Sequence, residues 1–457
     1  MRNRLIYMFS LCFLSLGFSQ ENQEVPKSFS LDEAITFALE NNRNAKNAVN
    51  NIEAAKKQKW ETTATGLPQI NANIDYINNI KQQVSLLPAS ILSEQDRMDL
   101  GLSINDQFPA IFGTEQTANA NITLNQLIFD GSYLVGLQSA KVFLEISENA
   151  KEKTDLQVRK AVINAYGNVL LSEESVAILE RNKITLEKNL NETKKIYENG
   201  LTEEENVEQL EITLSSIESN LRNMKRLRDL SYKMLNITLG IDLNNETTLT
   251  DTLEALTLEN IIPTILTVDD DVTNIVDYRI AANDTRSKEL LMKLEKSKAL
   301  PSLSGFVTAG YNGNGNSFNF FQREQQWFGS AAFGFSLNIP IFSSLQRSAS
   351  TQRAKINLDI AQNDLLEIEQ QLKLQIASAK SDYQLSIEEY ETAKKNLRLS
   401  ERIEKKNQVK FFEGVGTSFQ LRQAQTQLYS AQQEYLQSML DVINKKAELE
   451  TILNQTN

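Results

Sequence analysis

The longest feature of the hydrophobic pattern is a helical repeat from Gln346 to Glu413, a stretch without Gly or Pro. Its apolar positions recur at intervals of four, four and three, so the stripe repeats every eleven residues, at Ile368, Leu372, Ile376, Ala379, Tyr383, Ile387 and Tyr390. An eleven-residue repeat corresponds to about 3.67 residues per turn and favours a straight or slightly right-handed packing seam. The pattern therefore predicts one straight helix, roughly 100 Å long at 1.5 Å per residue.

The first half of the chain combines helical and alternating patterns. Ser30 and Glu33 form a capping-box signature that predicts a helix start, and Pro68 ends the helical pattern. Apolar residues then alternate with polar ones from Ile70 to Tyr76, which predicts a strand with one apolar and one polar face. For a first repeat over 20–240 we predict a helix over 30–67, strands over about 69–80 and 117–129 around a loop over 81–116, a long helix over 132–199 and a return helix over 203–239.

The second half repeats this order after a connector over 241–276, which we interpret as an equatorial region. Leu124 and Leu337 are separated by as many positions as Phe129 and Phe342, which indicates an internal duplication. For the second repeat, 277–457, we predict a helix over 277–299, strands over about 302–311 and 327–341 around a loop over 312–326, a long helix over 346–413 and a return helix over 418–453.

The amino-terminal residues are typical of a secretory signal peptide. Arg2 and Arg4 precede an apolar run that ends in small residues, so we assign 1–19 to a cleaved signal. The only cysteine, Cys12, lies inside it, so the mature chain would lack disulfides and thiol chemistry. No later apolar run reaches the roughly 18 residues of a transmembrane helix, so entry into a membrane would require a closed barrel.

The composition argues against several function classes. The formal net charge of −12 repels phosphate backbones, so we expect no nucleic-acid partner. The chain has no histidine, which removes the commonest general base and the commonest transition-metal ligand. The acidic run at Asp269, Asp270 and Asp271 lacks the alternating ligands of a calcium loop, so we interpret it as a solvated connector. We expect no catalytic site, no metal and no cofactor.

At this point the chain resembles the TolC-like outer-membrane efflux protein family. The resemblance spans about residues 30–454 and rests on the order, spacing and duplication of short motifs. These are Ser30-Leu31-Asp32-Glu33-Ala34, the Leu-Pro helix exits at 67–68 and 300–301, the strand ends LIFDG at 127–131 and PIF at 340–342, and the turns YENGL at 197–201 and FFEGVGT at 411–417.

The resemblance implies a mainly helical protomer in a homotrimeric conduit. Each protomer would give four strands to one twelve-stranded transmembrane β-barrel, and the long helices would form a periplasmic α-barrel. The residues agree with this architecture, because four strands are too few to close a useful pore alone and would leave sheet edges unpaired. The predicted polar strand faces are almost uncharged and suit an aqueous lumen, at Asn71, Asn73, Asn119, Asn121, Thr123, Ser302, Ser304 and Thr308.

The turns between the long and the return helices are the main candidate sites. By resemblance, a periplasmic adaptor of the membrane-fusion type would dock on them, at Gly200, Leu201, Thr202, Gly414, Val415, Gly416 and Thr417. The alternative interpretation is that both turns are only helix C-caps, where Gly is expected.

The periplasmic gate departs from the family pattern. Some members carry carboxylates in the return helix that form an acidic ring; the aligned positions here are Gln420 and Gln423. Some also carry a latch of Tyr, Arg and Asp; the aligned positions here are Phe411, Gly416 and Asn206. The acidic residues lie instead in the first turn of the other return helix. As gate or selectivity candidates we therefore take Glu203, Glu204, Glu205, Asn206, Gln209, Gln420 and Gln423. A solvated helix start favoured by the helix dipole is the alternative.

Aromatic residues near the strand ends are candidates for the two girdles of a membrane barrel. On one side we place Tyr76, Tyr311, Trp327 and Phe328, and on the other Phe129 and Phe342. Three more aromatic residues, Phe318, Phe320 and Phe321, lie in the shorter external loop. We interpret them as a lipid anchor, with a plug of the outer mouth as the alternative.

The sequence thus predicts a passive exit duct in the outer membrane of a Gram-negative bacterium, with helices projecting into the periplasm. Its expected partners are outer-membrane lipid, a periplasmic adaptor and, indirectly, an inner-membrane pump of the RND or ABC type. The alternatives are a channel that works without a pump and, from a different class, a secreted helical scaffold or tether. The alternating strands argue against a scaffold, because a rod does not need them.

Overall fold

The computed structural model of the protein describes residues 26–267 and 271–455. The predicted signal peptide with Cys12, as well as Asp269 and Asp270, lie outside the described residues. The strands are β1 (Ser28–Phe29), β2 (Gln69–Asn78), β3 (Val84–Pro88), β4 (Gln107–Ile111), β5 (Gln116–Phe129), β6 (Thr248–Leu249), β7 (Ser302–Gly315) and β8 (Trp327–Asn338). The α-helices are α1 (Leu31–Asn41), α2 (Arg43–Ala64), α3 (Glu94–Asp99), α4 (Gly131–Glu198), α5 (Glu204–Leu239), α6 (Leu253–Glu259), α7 (Val276–Ser297), α8 (Gln346–Phe412) and α9 (Ser418–Leu453).

The chain divides into two compact units, and the first comprises the described parts of Met1–Asn47, Thr154–Asp270 and Leu374–Asn457. Its core is built from α1, α4, α5, α6, α8 and α9 and includes the fully buried side chains of Tyr166, Leu235, Tyr383 and Ile443. Two buried tyrosine hydroxyls in this core are paired. The Tyr166 hydroxyl lies 2.8 Å from Asp251 Oδ2, and the Tyr383 hydroxyl donates to the carbonyl of Asn260 at 2.7 Å.

The predicted helix over 30–67 is two helices, because Asn42 interrupts it. Asn42 has an extended backbone (φ −57°, ψ 135°), and its Oδ1 accepts from the N–H of Asn44 at 2.8 Å, which starts α2. The Asn42 Nδ2 donates to the carbonyl of Thr238 at 2.7 Å. Gly240 adopts φ 83° beside this break, where a Cβ would lie 2.3 Å from the carbonyl oxygen of Asn41. The interruption therefore locks α1 against the end of α5.

The second unit comprises Ala48–Lys153 and Asp271–Lys373 and contains an antiparallel four-stranded sheet of order β2-β5-β7-β8. The register gives the sheet one apolar and one polar face. On the apolar face, Ile74 lies opposite Ala120, which lies opposite Tyr311. On the polar face, Asn71 lies opposite Thr123, which lies opposite Thr308, and the two threonine hydroxyls are 3.0 Å apart.

Two segments contain more structure than the patterns predict. The predicted loop over 81–116 holds the two-stranded sheet β3-β4 and the short helix α3. Leu86 pairs with Pro109 there, which is possible because a two-stranded ribbon leaves one side of each strand free of ladder hydrogen bonds. The predicted connector over 241–276 contains β6, which pairs in parallel with β1, and α6, which packs on α9.

The strand ends also differ from the prediction. β7 continues to Gly315 and β8 ends at Asn338, short of the predicted end at 341. Over the described residues, the helices are too short or too polar to traverse a lipid bilayer.

Candidate functional site

The turn between α4 and α5 is a Schellman motif. Gly200 has φ 72°, a left-handed conformation that glycine adopts without steric cost. Its N–H donates to the carbonyl of Tyr197 at 2.7 Å, and the N–H of Leu201 donates to the carbonyl of Ile196 at 3.0 Å. These two bonds satisfy carbonyl groups at the helix end, so Gly200 has a structural role in the turn.

The turn between α8 and α9 repeats this geometry. Gly414 has φ 73°, its N–H donates to the carbonyl of Phe411 at 3.1 Å, and the N–H of Val415 donates to the carbonyl of Lys410 at 2.9 Å. Gly416 also has a local reason, because a Cβ there would lie 3.0 Å from Lys410 Cβ. The glycines of both turns are thus explained by helix termination.

Both turns also carry an apolar side chain directly after the glycine. Leu201 and Val415 occupy equivalent positions, one residue after the glycine, and each is 77% exposed. Phe419, in the first turn of α9, is 57% exposed. The two turns thus expose equivalent aliphatic side chains at the ends of two helical hairpins. A docking role for Leu201 and Val415 stays a prediction.

The polar gate candidates are largely engaged in local hydrogen bonds. Asn206 Nδ2 donates to Thr202 Oγ1 at 2.8 Å, and Gln209 Nε2 donates to Glu205 Oε1 at 2.7 Å. In the other hairpin, Thr417 Oγ1 accepts from the N–H of Gln420 while Gln420 Oε1 accepts from the N–H of Thr417, both at 3.3 Å. These contacts stabilise the starts of α5 and α9.

The remaining gate candidates are solvent-exposed. Glu203 is the N-cap of α5 without a side-chain capping bond, Glu204 and Glu205 lie in its first turn, and Gln423 is exposed on α9. Carboxylates in the first turn of a helix are stabilised by the helix dipole. The acidic cluster thus has a structural explanation, and its role in selectivity stays a prediction.

A polar layer lies inside the helical bundle behind the turns, and sequence reasoning missed it. Its side chains are buried: Asn189 and Gln425 are 1% exposed, Ser400 is 3% exposed and Thr193 is fully buried. Gln408 Nε2 donates to Asn189 Oδ1 at 3.3 Å, which links α8 to α4. The available signal was a polar residue four positions after an apolar core residue, as in Leu421 and Gln425.

Glu404 borders this polar layer. Burial is the largest influence on its carboxyl and raises the pKa. Burial also raises the pKa of the Tyr429 hydroxyl, and the nearby Glu404 carboxylate adds to that shift. Within the described residues, neither amide atom of Gln425 has a hydrogen-bond partner.

The aromatic candidates divide between the two faces of the sheet. Tyr76, Tyr311 and Trp327 share the apolar face, since Tyr311 lies opposite Ala120 and Trp327 opposite Gly313. Phe328 lies opposite Asn312 on the polar face. Phe328 and Trp327 therefore point to opposite faces of the sheet, as neighbouring residues of a strand do, and the girdle role of both stays a prediction.

The other aromatic residues fall into two groups. Phe129 lies opposite Leu303 after a bulge in β5, and Phe342 lies beyond the end of β8 and is 82% exposed. At the opposite end of the sheet, ring centroids are 5.5 Å apart for Tyr76 and Phe318, 5.8 Å for Phe318 and Phe320, and 6.1 Å for Phe320 and Trp327. This aromatic cluster, Tyr76, Phe318, Phe320 and Trp327, marks that end of the apolar face.

Among residues 26–267 and 271–455, no group of three or more Asp or Glu side chains is arranged to hold a metal ion.

Comparison with known proteins gives a consistent picture. Residues 279–455 match the family described as outer membrane efflux protein. The fold is similar to that of CusC (TM-score 0.73, 16% identity, covering 93% of this chain and 92% of that one). It is also similar to VceC from Vibrio cholerae (TM-score 0.70, 14% identity, covering 93% of this chain and 96% of that one). The CmeC outer membrane channel from Campylobacter jejuni is similar as well (TM-score 0.71, 17% identity, covering 92% of this chain and 85% of that one).

No curated protein sequence matches the chain. The family match and the solved structures confirm the predicted resemblance and the predicted fold class, mainly helical with a four-stranded sheet, in the arrangement of TolC-like channels.

Proposed function

We propose that this protein is an outer membrane efflux protein that serves as the passive exit duct of a tripartite efflux pump or a type I secretion system. It lies in the outer membrane of a Gram-negative bacterium, with its helices in the periplasm. One observation carries the proposal: a four-stranded sheet with an apolar face and an amide-rich face that holds a single charged side chain leads into helices of 68 and 67 residues. A sheet with these two faces suits lipid on one side and water on the other.

The sheet supports assembly into a homotrimer. Within the described chain, β2 and β8 are the two edges of the four-stranded sheet, and unpaired edges of this length are unfavourable in a membrane protein. Pairing β2 of one protomer with β8 of the next would remove both edges. Three copies would then close a twelve-stranded barrel whose polar face lines the lumen.

The helices offer a complementary contact for the same assembly. A groove of about 740 Å³ between α8 and α9 is lined by four carboxylates, those of Glu388, Glu389, Glu434 and Asp441, beside the exposed Leu385. The exposed face of α5 carries Leu227 and Leu230 together with Arg222 and Arg226. These residues are about as far from their turn as the groove is from the other turn, so both surfaces lie at a similar level along the helices.

The two turns would couple the duct to its partners. Leu201 and Val415 would insert into a periplasmic adaptor, and the adaptor would connect the duct to an inner-membrane pump of the RND or ABC type, which supplies the energy. The duct itself performs no chemical step.

Site-specific photocrosslinking in cells tests this function. A photoreactive amino acid at position 201 or 415 is expected to capture a periplasmic adaptor. The control is the same amino acid at Ile184, an aliphatic residue that is 66% exposed in the body of α4, which should not capture the adaptor. Capture of no periplasmic protein from either turn would contradict coupling to a pump and favour the pump-independent channel.

A further inference from the structure

The four strands of the main sheet contain a single charged residue. β2, β5, β7 and β8 are all described by the structure, and within them only Asp75 carries a charge. It lies on the polar face, where its row in the register consists of Asn119, Asn312 and Phe328. The remainder of this face is made of neutral side chains, so one carboxylate determines its charge.

The neighbours of Asp75 do not neutralise it. Asn73 Nδ2 donates to Asp75 Oδ2 at 2.6 Å, and the next amide in the row, Asn119, accepts instead from Asn312. Among the described residues, no Lys or Arg forms an ion pair with Asp75. The side chain is exposed, so its negative charge acts on the solution above the polar face.

The aromatic cluster locates Asp75 along the strand. Tyr76 follows Asp75 in β2 and packs edge-on against Phe318 and Phe320 on the apolar face. Aromatic side chains concentrate where a membrane barrel crosses the bilayer interface. β2 begins at the end of α2, so this cluster lies at the end of the sheet remote from the helices, and Asp75 lies on the lumen side at that level.

We propose that Asp75 determines the ion preference of the outer part of the lumen, a conclusion that rests on the proposed function. Three protomers would place three carboxylates on a lumen wall that is otherwise uncharged. Rings of acidic side chains favour cations in water-filled pores. The outer part of the duct therefore admits cationic solutes more readily than anionic ones.

The width of a twelve-stranded lumen makes this preference dependent on salt. The Debye length is about 30 Å at 0.01 M and about 3 Å at 1 M ionic strength. In dilute salt the three carboxylates influence the whole cross-section of the lumen, whereas in concentrated salt they influence only the ions that touch the wall. The contribution of Asp75 must therefore be large in dilute solution and vanish in concentrated solution.

The test is the reversal potential of trimers in planar bilayers under a KCl gradient, for wild type and for Asp75→Asn. At about 0.01 M salt on the side of the strands, we expect the K⁺ to Cl⁻ permeability ratio of Asp75→Asn to be lower by roughly twofold or more, with convergence near 1 M. Asp75→Glu should retain the wild-type ratio. The matched control is Glu115→Gln, which removes an exposed carboxylate just before β5 and should have a smaller effect.

Two results would overturn the inference: an unchanged ratio for Asp75→Asn in dilute salt, or an equal shift for Glu115→Gln, which would indicate a general surface charge. Diluting the salt on the side of the turns instead measures how much the glutamates at 203–205 contribute to the permeability ratio. A wild-type protein that forms no conducting pore would instead refute the proposed function, and the inference would fall with it.

Discussion

At the scale of single residues, Glu404 combines a position close to the turns with an unfavourable environment. Gln425 and Ser400 nearby are buried polar residues, and burial raises the pKa of the Glu404 carboxyl above its ordinary value of 4.5. The folded protein therefore binds this proton more tightly than the unfolded chain does. The stability associated with the neutral carboxyl is fully present below the unfolded pKa and is lost as the pH rises through the folded pKa.

The substitution Glu404→Gln is expected to raise the melting temperature at pH 7, because glutamine resembles the neutral carboxyl that the site prefers. The difference from wild type should shrink as the pH falls below about 4, where the wild-type carboxyl is also protonated. Thermal unfolding followed by circular dichroism measures both values. Glu401→Gln, at an exposed position on the same helix, is the control. A lower melting temperature for Glu404→Gln at pH 7 would contradict this account of the site.

At the scale of helices, the eleven-residue stripe is the packing face of α8. Leu372, Ile376, Tyr383 and Tyr390 on this stripe are all at most 4% exposed. Charged contacts add a second link between the helices. Glu450 of α9 is 6% exposed and lies 3.5 Å from Arg159 of α4 and 3.1 Å from Lys446. The buried glutamate thus links α4 and α9, which lie far apart in the sequence.

Removing this charge should destabilise the helical unit. Glu450→Gln removes the carboxylate that pairs with Lys446 at 3.1 Å, and both side chains are nearly buried, so the loss costs roughly 3 kcal/mol. The matched control is Glu53→Gln, because Glu53 pairs with Lys56 at 2.7 Å on the surface and such pairs contribute less than about 1 kcal/mol. Thermal unfolding compares the two variants. Equal and small decreases in melting temperature would show that the buried network contributes no more than a surface pair.

At the scale of the whole molecule, the groove between α8 and α9 and the basic face of α5 predict how protomers meet. Replacing Glu388 and Glu389 by Lys is expected to weaken the trimer, because like charges would then face each other. Adding Arg222→Glu and Arg226→Glu should restore it. Native mass spectrometry of the detergent-solubilised protein measures the trimer fraction. If the lysines at 388 and 389 abolish the trimer and adding Arg222→Glu and Arg226→Glu does not restore it, this interface is excluded.

The order of elements is predictable from sequence because each has its own period. Ile70 to Tyr76 alternate, and α8 contains no Gly or Pro, so a strand and a long helix follow from local physics. The β3-β4 ribbon was missed because its strands are short and contain Pro88 and Pro109, which usually argue against strands.

The candidate site was predicted less completely than the fold. The glycines at 200 and 414 marked the turns, yet their conformation is that of helix ends. The solvent exposure of Leu201 and Val415 could not be predicted from the sequence, because it depends on which other parts of the fold pack near them. By contrast, the opposite orientation of Trp327 and Phe328 was predictable from the strand alone, because neighbouring residues of a strand point to opposite faces.

The central claim is that the polar face of the sheet lines a water-filled duct and the apolar face meets lipid. The mature chain would contain no cysteine, since Cys12 lies in the predicted signal. A thiol reagent would therefore label only a cysteine introduced by substitution. Asn121 and Ile122 are neighbours on opposite faces of β5, and Ile122 is 58% exposed. Each is replaced by Cys, and a charged, membrane-impermeant thiol reagent is added to intact cells. We predict rapid labelling of Asn121→Cys and protection of Ile122→Cys until detergent removes the lipid; equal labelling of both, or protection of Asn121→Cys, would contradict the account.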